Sequence, residues 1–191
     1  QYALRRRMRN DGIKVLLTGE GADEVLSGYE RSLPFYLSAL MESGQLEHLP
    51  DAVEGACDFL SCDRKKVIQN WMGFLNARLN NRFRQLHEVG VGVVSERLFD
   101  KYGDSLLSQG YLNREDFGEG RFLWENLYTH LFERFIPLIL RIEDRVSSAF
   151  SIESRVPFLD HELVETAWSF PFNKLMEKGR NKAVLRNTLR G

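Results

Sequence analysis

Ile13-Lys14-Val15-Leu16-Leu17-Thr18-Gly19-Glu20-Gly21-Ala22-Asp23-Glu24-Val25 runs from a short stretch of branched apolar residues, through an acidic turn punctuated by glycine, into the start of a helix. The apolar run at 13–17 lacks the alternation of a half-exposed strand, so it predicts a buried parallel strand covered on both faces. Asn10, Asp11 and Gly12 stop whatever helix precedes it. Gly19 and Gly21 let backbone approach a ligand closely, and free N–H groups at the following helix start favour an anion such as phosphate. Three carboxylates, Glu20, Asp23 and Glu24, crowd that same end. They fit a divalent cation lying between them and the phosphates, because magnesium takes one or two carboxylates plus phosphate oxygens. They fit equally a simpler account, in which the glycines make a tight turn and Asp23 and Glu24 complement the helix dipole.

Outward from this stretch the chain is helical in period. Tyr2, Ala3, Leu4 and Met8 look like the last turns of a helix. Further helices are expected at 22–29, at 34–43 with Phe35, Leu37, Leu40 and Met41, and at 51–60 with Val53, Ala56, Phe59 and Leu60. Asp63 stands as an N-cap before Val67, Ile68, Trp71, Phe74 and Leu75. Residues 90–94 form an apolar insertion, and 104–117 are polar and turn-rich. The strongest amphipathic helix is 121–134, with Phe122, Leu123, Leu127, Leu131 and Phe132 facing inward, then Pro137 and a second apolar run. Leu163, Val164, Ala167 and Trp168 make one more helix, ended before Pro171. A lone parallel strand needs neighbours, so the expectation is an internal piece of a larger α/β domain.

The composition agrees with a folded domain: 191 residues, 43% apolar and 28% charged, are too apolar for disorder and enough for a sizeable core. With 26 basic against 27 acidic side chains, no global field draws the chain to nucleic acid or to an anionic membrane. No stretch has the length of a membrane span, which predicts a soluble, cytoplasmic protein without nucleic-acid or membrane partners. Cys57 and Cys62 have no second pair and read as buried or reduced thiols; His48, His87, His130 and His161 share no zinc spacing.

Two more segments carry charge in an apolar setting. Arg141-Ile142-Glu143-Asp144-Arg145 is followed by Ser151-Ile152-Glu153-Ser154-Arg155-Val156-Pro157-Phe158-Leu159-Asp160, where Glu153, Arg155 and Asp160 read either as partly buried pairs that fix a loop or as catalytic groups. Lys178, Arg180, Lys182, Arg186 and Arg190 give a basic helical tail, either a solvated face or, at Lys182 or Arg186, a phosphate contact.

Together these segments resemble the synthetase domain of glutamine-dependent asparagine synthetases. The resemblance is carried by Leu16-Leu17-Thr18-Gly19-Glu20-Gly21-Ala22-Asp23-Glu24-Val25, by Glu143-Asp144-Arg145 through Asp160, and more weakly by Lys182-Ala183-Val184-Leu185-Arg186. It implies an α/β parent fold of the adenine nucleotide α-hydrolase type, of which residues 1–191 would be a predominantly α-helical part with one or few buried strands. It also implies a reaction in which ATP and Mg2+ activate the side-chain carboxylate of aspartate as an adenylate, and ammonia from glutamine displaces AMP. Carried over by position, Glu20 would be catalytic, as the base toward the amine. Thr18, Gly19 and Gly21 would touch the nucleotide, Asp23 would hold the metal, and Arg141 would bind substrate.

The departures are as specific. The Ser-Gly-Gly-x-Asp-Ser pyrophosphate loop and the glutaminase domain with its cysteine are absent from these residues, and the Arg-x-Lys segment of the family is expected past Gly191. Ser27 stands where the family usually has glycine. The expectation is therefore an amidotransferase whose glutaminase domain belongs to the same parent chain, inactive as an isolated piece, with homo-oligomers allowed. The alternatives are a ligase of the same scaffold acting on another carboxylate, and a helical interaction module without catalysis.

Overall fold

The computed structural model describes residues 1–79 and 117–189. The apolar insertion at 90–94 and the turn-rich stretch at 104–116 lie outside them.

Helix α1 (Tyr2–Asn10) leads into strand β1 (Val15–Leu17), the glycine turn and a single turn of helix, α2 (Ala22–Val25). Three longer helices follow: α3 (Leu33–Glu42), α4 (Leu49–Leu60) and α5 (Arg64–Leu79). Pro34 and Pro50 sit in the first turns of α3 and α4, where a missing N–H costs no intrahelical bond, so Pro50 opens α4 rather than preceding it. Asp63 caps α5 as its sequence suggests, its Oδ1 accepting from the Lys66 amide at 2.7 Å. The second half holds α6 (Arg121–Tyr128), a π-helical segment (Thr129–Arg134), α7 (Phe135–Ser148), β2 (Glu153–Arg155), α8 (His161–Ser169), α9 (Phe172–Leu175) and α10 (Ala183–Thr188).

Helix α3 is the hub, packed by α4, α5 and α6. Leu37 and Leu40 of α3 and Leu123 and Leu127 of α6 are at most 1% exposed, because residues three and four apart share one helical face. The long 121–134 helix expected from periodicity is broken in phase. Pro137 has no N–H to return to the preceding turn, and the chain widens to π-helix just upstream of it. Leu131 stays buried, but Phe132 swings out to 51% exposure and rests against Tyr128 and Trp168.

The strand is where the expectation needs correcting. β1 is not lone: it pairs in parallel with β2, with Val15 opposite Glu153, Leu16 opposite Ser154 and Leu17 opposite Arg155. β2 is only three residues long and carries charge at both ends, so no apolar run announces it. Nor is β1 buried on both faces. Val15 is 44% and Leu17 67% exposed, because among the described residues no element covers the face they share. The described residues are thus predominantly helical with two short strands, neither of them enclosed.

Candidate active site

The glycine turn is held at the carboxyl end of β1. The Thr18 amide donates to the Arg155 carbonyl at 2.9 Å, extending the ladder by one residue, and the Thr18 hydroxyl points at the same oxygen at 3.5 Å. Gly19 borders open space, where even a Cβ would meet nothing within 4 Å. Gly21 is different: its φ of 91° lies in the left-handed region, and a Cβ there would fall 2.2 Å from the Leu159 side chain. The loop is thereby pressed on the turn Pro157–Leu159 that follows β2.

The helix start after the loop is weaker than its sequence suggests. α2 has four residues, and its Ala22 amide already turns back to the Gly19 carbonyl at 3.3 Å. So short a helix has little dipole to offer an anion. The positive charge comes from elsewhere: the Lys182 Nζ lies 2.8 Å from Asp23 Oδ1. Lys182 comes from the basic tail, whose ordered helix α10 begins only at Ala183. In the sequence Lys182 is weighed as a phosphate contact of the basic tail, and it opens the Lys182-Ala183-Val184-Leu185-Arg186 segment that carries the weaker part of the resemblance. Gly28 closes the floor beneath the pair; a Cβ there would sit 1.8 Å from Asp23 Oδ1 and 2.3 Å from Lys182 Cε.

The three loop carboxylates have separate surroundings. Glu24 is 2% exposed and accepts a hydrogen bond from the Tyr29 hydroxyl at 2.6 Å, which withdraws it from solvent. Burial together with that bond pushes the Tyr29 phenol well above its ordinary range. Glu20 is half-buried, and burial first, then the negative charges of Glu143, Glu24 and Asp23, hold its carboxyl above the usual carboxylate range. Asp23 alone combines access with a cationic partner. A magnesium ion that takes one protein carboxylate and phosphate oxygens fits Asp23 by its accessibility, and it would share that carboxylate with the Lys182 ammonium already on Oδ1.

Arg141 is not brought to this loop. It is exposed on α7, two residues from Glu143, which puts it on the opposite side of the helix from the face that meets β2. Glu143 is instead the residue of that segment that matters: it is buried, ion-paired with the equally buried Arg5 of α1, and it accepts from the Ser154 hydroxyl of β2 at 2.9 Å. Its other oxygen has no partner among the described residues. The pairs expected around the 153–160 loop are not buried. Glu153 and Arg155 bridge each other at 2.8 Å in solvent, and Asp160 caps α8 by accepting from the Glu162 amide. Alternation along a strand turned their side chains outward.

Cys57 and Cys62 are free thiols of intermediate burial, and burial raises the Cys57 pKa. No described helix is long and apolar enough to cross a membrane.

A protein-family model for asparagine synthase matches residues 1–191. Among curated proteins, asparagine synthetase [glutamine-hydrolyzing] 3 of Bacillus subtilis (strain 168) is 31% identical over 97% of this chain, which covers 25% of that relative. Asparagine synthetase [glutamine-hydrolyzing] 2 of the same strain is 26% identical over 93% of the chain, covering 19% of the relative. Amidase chyE of Penicillium rubens is 30% identical over 90% of the chain, covering 28%. The chain thus spans about a quarter of the length of these relatives. No solved structure matches it. A strand-ended Thr-Gly-Glu-Gly-Ala-Asp loop and a family match from the first residue to the last lead to one statement: the chain belongs to the asparagine synthase family.

Proposed function

We propose that this chain supplies part of the synthetase site of an ATP-dependent, amide-forming ligase, in a parent fold of the adenine nucleotide α-hydrolase type, with aspartate and glutamine-derived ammonia as substrates. The observation that carries the reading is the Asp23–Lys182 pair set beside Glu20 at the end of β1. Thr18, Gly19 and Gly21 present backbone to the nucleotide, and Gly19 leaves the open space that close approach needs. In the first step a carboxylate oxygen of aspartate attacks the α-phosphorus of ATP, and pyrophosphate leaves. Asp23 would hold Mg2+, which when bound neutralises charge on the phosphates. The Lys182 ammonium counters the same charge from the other side. In the second step ammonia attacks the acyl carbon, AMP leaves, and Glu20 accepts the proton from the amine. A carboxyl held above its usual range is a better proton acceptor at neutral pH than an ordinary one. Ammonia would come from a glutaminase domain elsewhere in the parent chain, in the cytoplasm.

Two variants of the full-length protein test this. Asp23→Asn should abolish exchange of labelled pyrophosphate into ATP, because it removes the metal contact from the first step. Glu20→Gln should leave exchange largely intact and slow amide production by about 100-fold to 10,000-fold, the range for a lost general base. Equal loss of exchange in both would move Glu20 into the nucleotide site and leave the base unassigned. One fold can serve more than one substrate, and a relative of this chain carries the name of an amidase, so the acceptor carboxylate is decided by assaying a panel of carboxylates with each amine.

A further inference from the structure

Lys182 reaches Asp23 from a backbone conformation that needs support. Its φ of 48° and ψ of 41° are left-handed, a state that residues with a side chain rarely adopt. Three neighbouring features hold it there. Asn181, only 6% exposed, donates from Nδ2 to the carbonyl of Gly28, the residue that floors the Asp23–Lys182 pair. Arg186 grips Asn181 from the other side: Nη2 donates to Asn181 Oδ1 at 3.0 Å and Nε to the Asn181 carbonyl at 2.9 Å. Because a guanidinium donor occupies Oδ1, the amide orientation is fixed and Nδ2 must face Gly28. One turn earlier, the chain lies flush on α4. A Cβ on Gly55 would meet the Lys178 carbonyl at 1.8 Å, and one on Gly179, at φ 70°, would meet the Ala52 carbonyl at 2.1 Å. The backbone that enters Asn181 is thus pinned to a helix, and the side chain of Asn181 is pinned to the loop.

We propose that Asn181 is a positioning residue for the site: clamped between Arg186 and the Gly28 carbonyl, it sets the distance and direction of the Lys182 ammonium relative to Asp23. The inference rests on the reading of the Asp23–Lys182 pair as the phosphate-facing part of the site. Gly28 amide donation to the Asp23 carbonyl, at 2.8 Å, makes the connection short: Asn181 to Gly28, Gly28 to Asp23, Asp23 to Lys182, and Lys182 back to Asn181 through one peptide bond. Loss of any member lets the ammonium wander. A displacement of about 1 Å in a charged group facing the transition state can cost on the order of 100-fold in rate.

The test is pyrophosphate exchange in the full-length protein with Asn181→Ala, Asn181→Asp, Lys182→Ala and the double variant Asn181→Ala/Lys182→Ala. Asn181→Asp keeps an oxygen for Arg186, so the tail stays docked, but it loses the donor to Gly28. Both Asn181 variants should lower kcat by about 10-fold to 100-fold with KM for ATP nearly unchanged, the signature of an interaction used in the transition state. The double variant should be no slower than Lys182→Ala, since a residue acting through Lys182 has nothing to position once the ammonium is gone. Losses that multiply in the double variant overturn the proposal, as does an Asn181→Asp variant with wild-type kcat. If Asn181→Ala does not fold, the same cycle is run with Asn181→Asp. Full exchange by Lys182→Ala alone would instead overturn the reading of the site on which the proposal stands.

Discussion

Ser27 sits at 0% exposure with φ 55°, and its hydroxyl has no partner among the described residues. A left-handed serine costs about 1–2 kcal/mol over glycine in that conformation, and an orphaned buried hydroxyl about 1–3 kcal/mol. Glycine gives back about 0.5–1 kcal/mol in chain entropy and leaves a small void. The expected outcome for Ser27→Gly is a net gain of about 1 kcal/mol, read as a higher urea midpoint at unchanged slope. A lower midpoint would mean that the hydroxyl has a partner in solution. In the sequence Ser27 was visible only as a departure from a family glycine, with helix packing as its expected consequence; its conformation shows the consequence to be backbone strain. The same asymmetry runs through the site. Glu20 and Asp23 were legible because chemistry dense in glycine and carboxylate follows a strand directly. Lys182 was legible only as one of two alternatives for a phosphate contact, because a lysine in a basic tail has the same local pattern whether it is solvated or folded back 159 positions onto Asp23.

At the scale of elements, charge burial separates what docks the pieces from what decorates them. α1 is attached to α7 through Arg5 and Glu143, whose side chains are 4% and 3% exposed, with the Arg5 Nε also donating to Ser147 at 3.1 Å. Removing one partner strands a buried charge, so Arg5→Ala should cost about 3–5 kcal/mol. Arg5→Met, which keeps volume but still orphans Glu143, should recover little of it. Arg155→Ala should leave the melting temperature where it is, since its bridge to Glu153 lies in solvent. Thermal melts of the three variants rank these expectations, and an Arg155→Ala variant that melts far below wild type would reverse the assignment. The sequence pointed to charged pairs in this region but chose the wrong members. Arg5 stands among Arg6, Arg7 and Arg9 with nothing local to mark it as the inward one, and its partner is 138 positions away. Helix period, by contrast, is a local property, and so α3, α4 and α8 were legible nearly to their ends, and α5 at its start. β2 failed on the same ground: three residues of mixed charge owe their strand conformation to β1 alone.

At the scale of the whole molecule, the described residues divide into a helical body and a thin sheet that it carries. Around α3 the buried apolar residues are contiguous, with Leu37, Leu40, Leu123 and Leu127 essentially without exposure, and unfolding any one helix there exposes the faces of the others. The sheet has two strands of three residues, Val15 and Leu17 open to solvent, and a parallel ladder whose end bonds are Glu153 N–H to Lys14 and Thr18 N–H to Arg155. Parallel sheets are ordinarily covered on both faces, and a two-stranded ladder has little cooperativity of its own. The loop with Glu20 and Asp23 therefore hangs from the least protected part of the structure, tied down by the contact of Gly21 with Leu159 and by Asn181 and Lys182. Native-state hydrogen exchange on the 191-residue chain should show this as a gradient. The Thr18 and Glu153 amides should open locally and exchange at least about 100-fold faster, after correction for intrinsic rates, than those of Leu37, Leu40 and Leu127, which require global opening. Binding of a nucleotide to the loop should slow Thr18 selectively, because its amide is held at the strand end from which the loop springs. Equal protection of the strand and α3 amides would mean that sheet and helical body unfold as one unit, and that the loop rests on a scaffold as firm as the core.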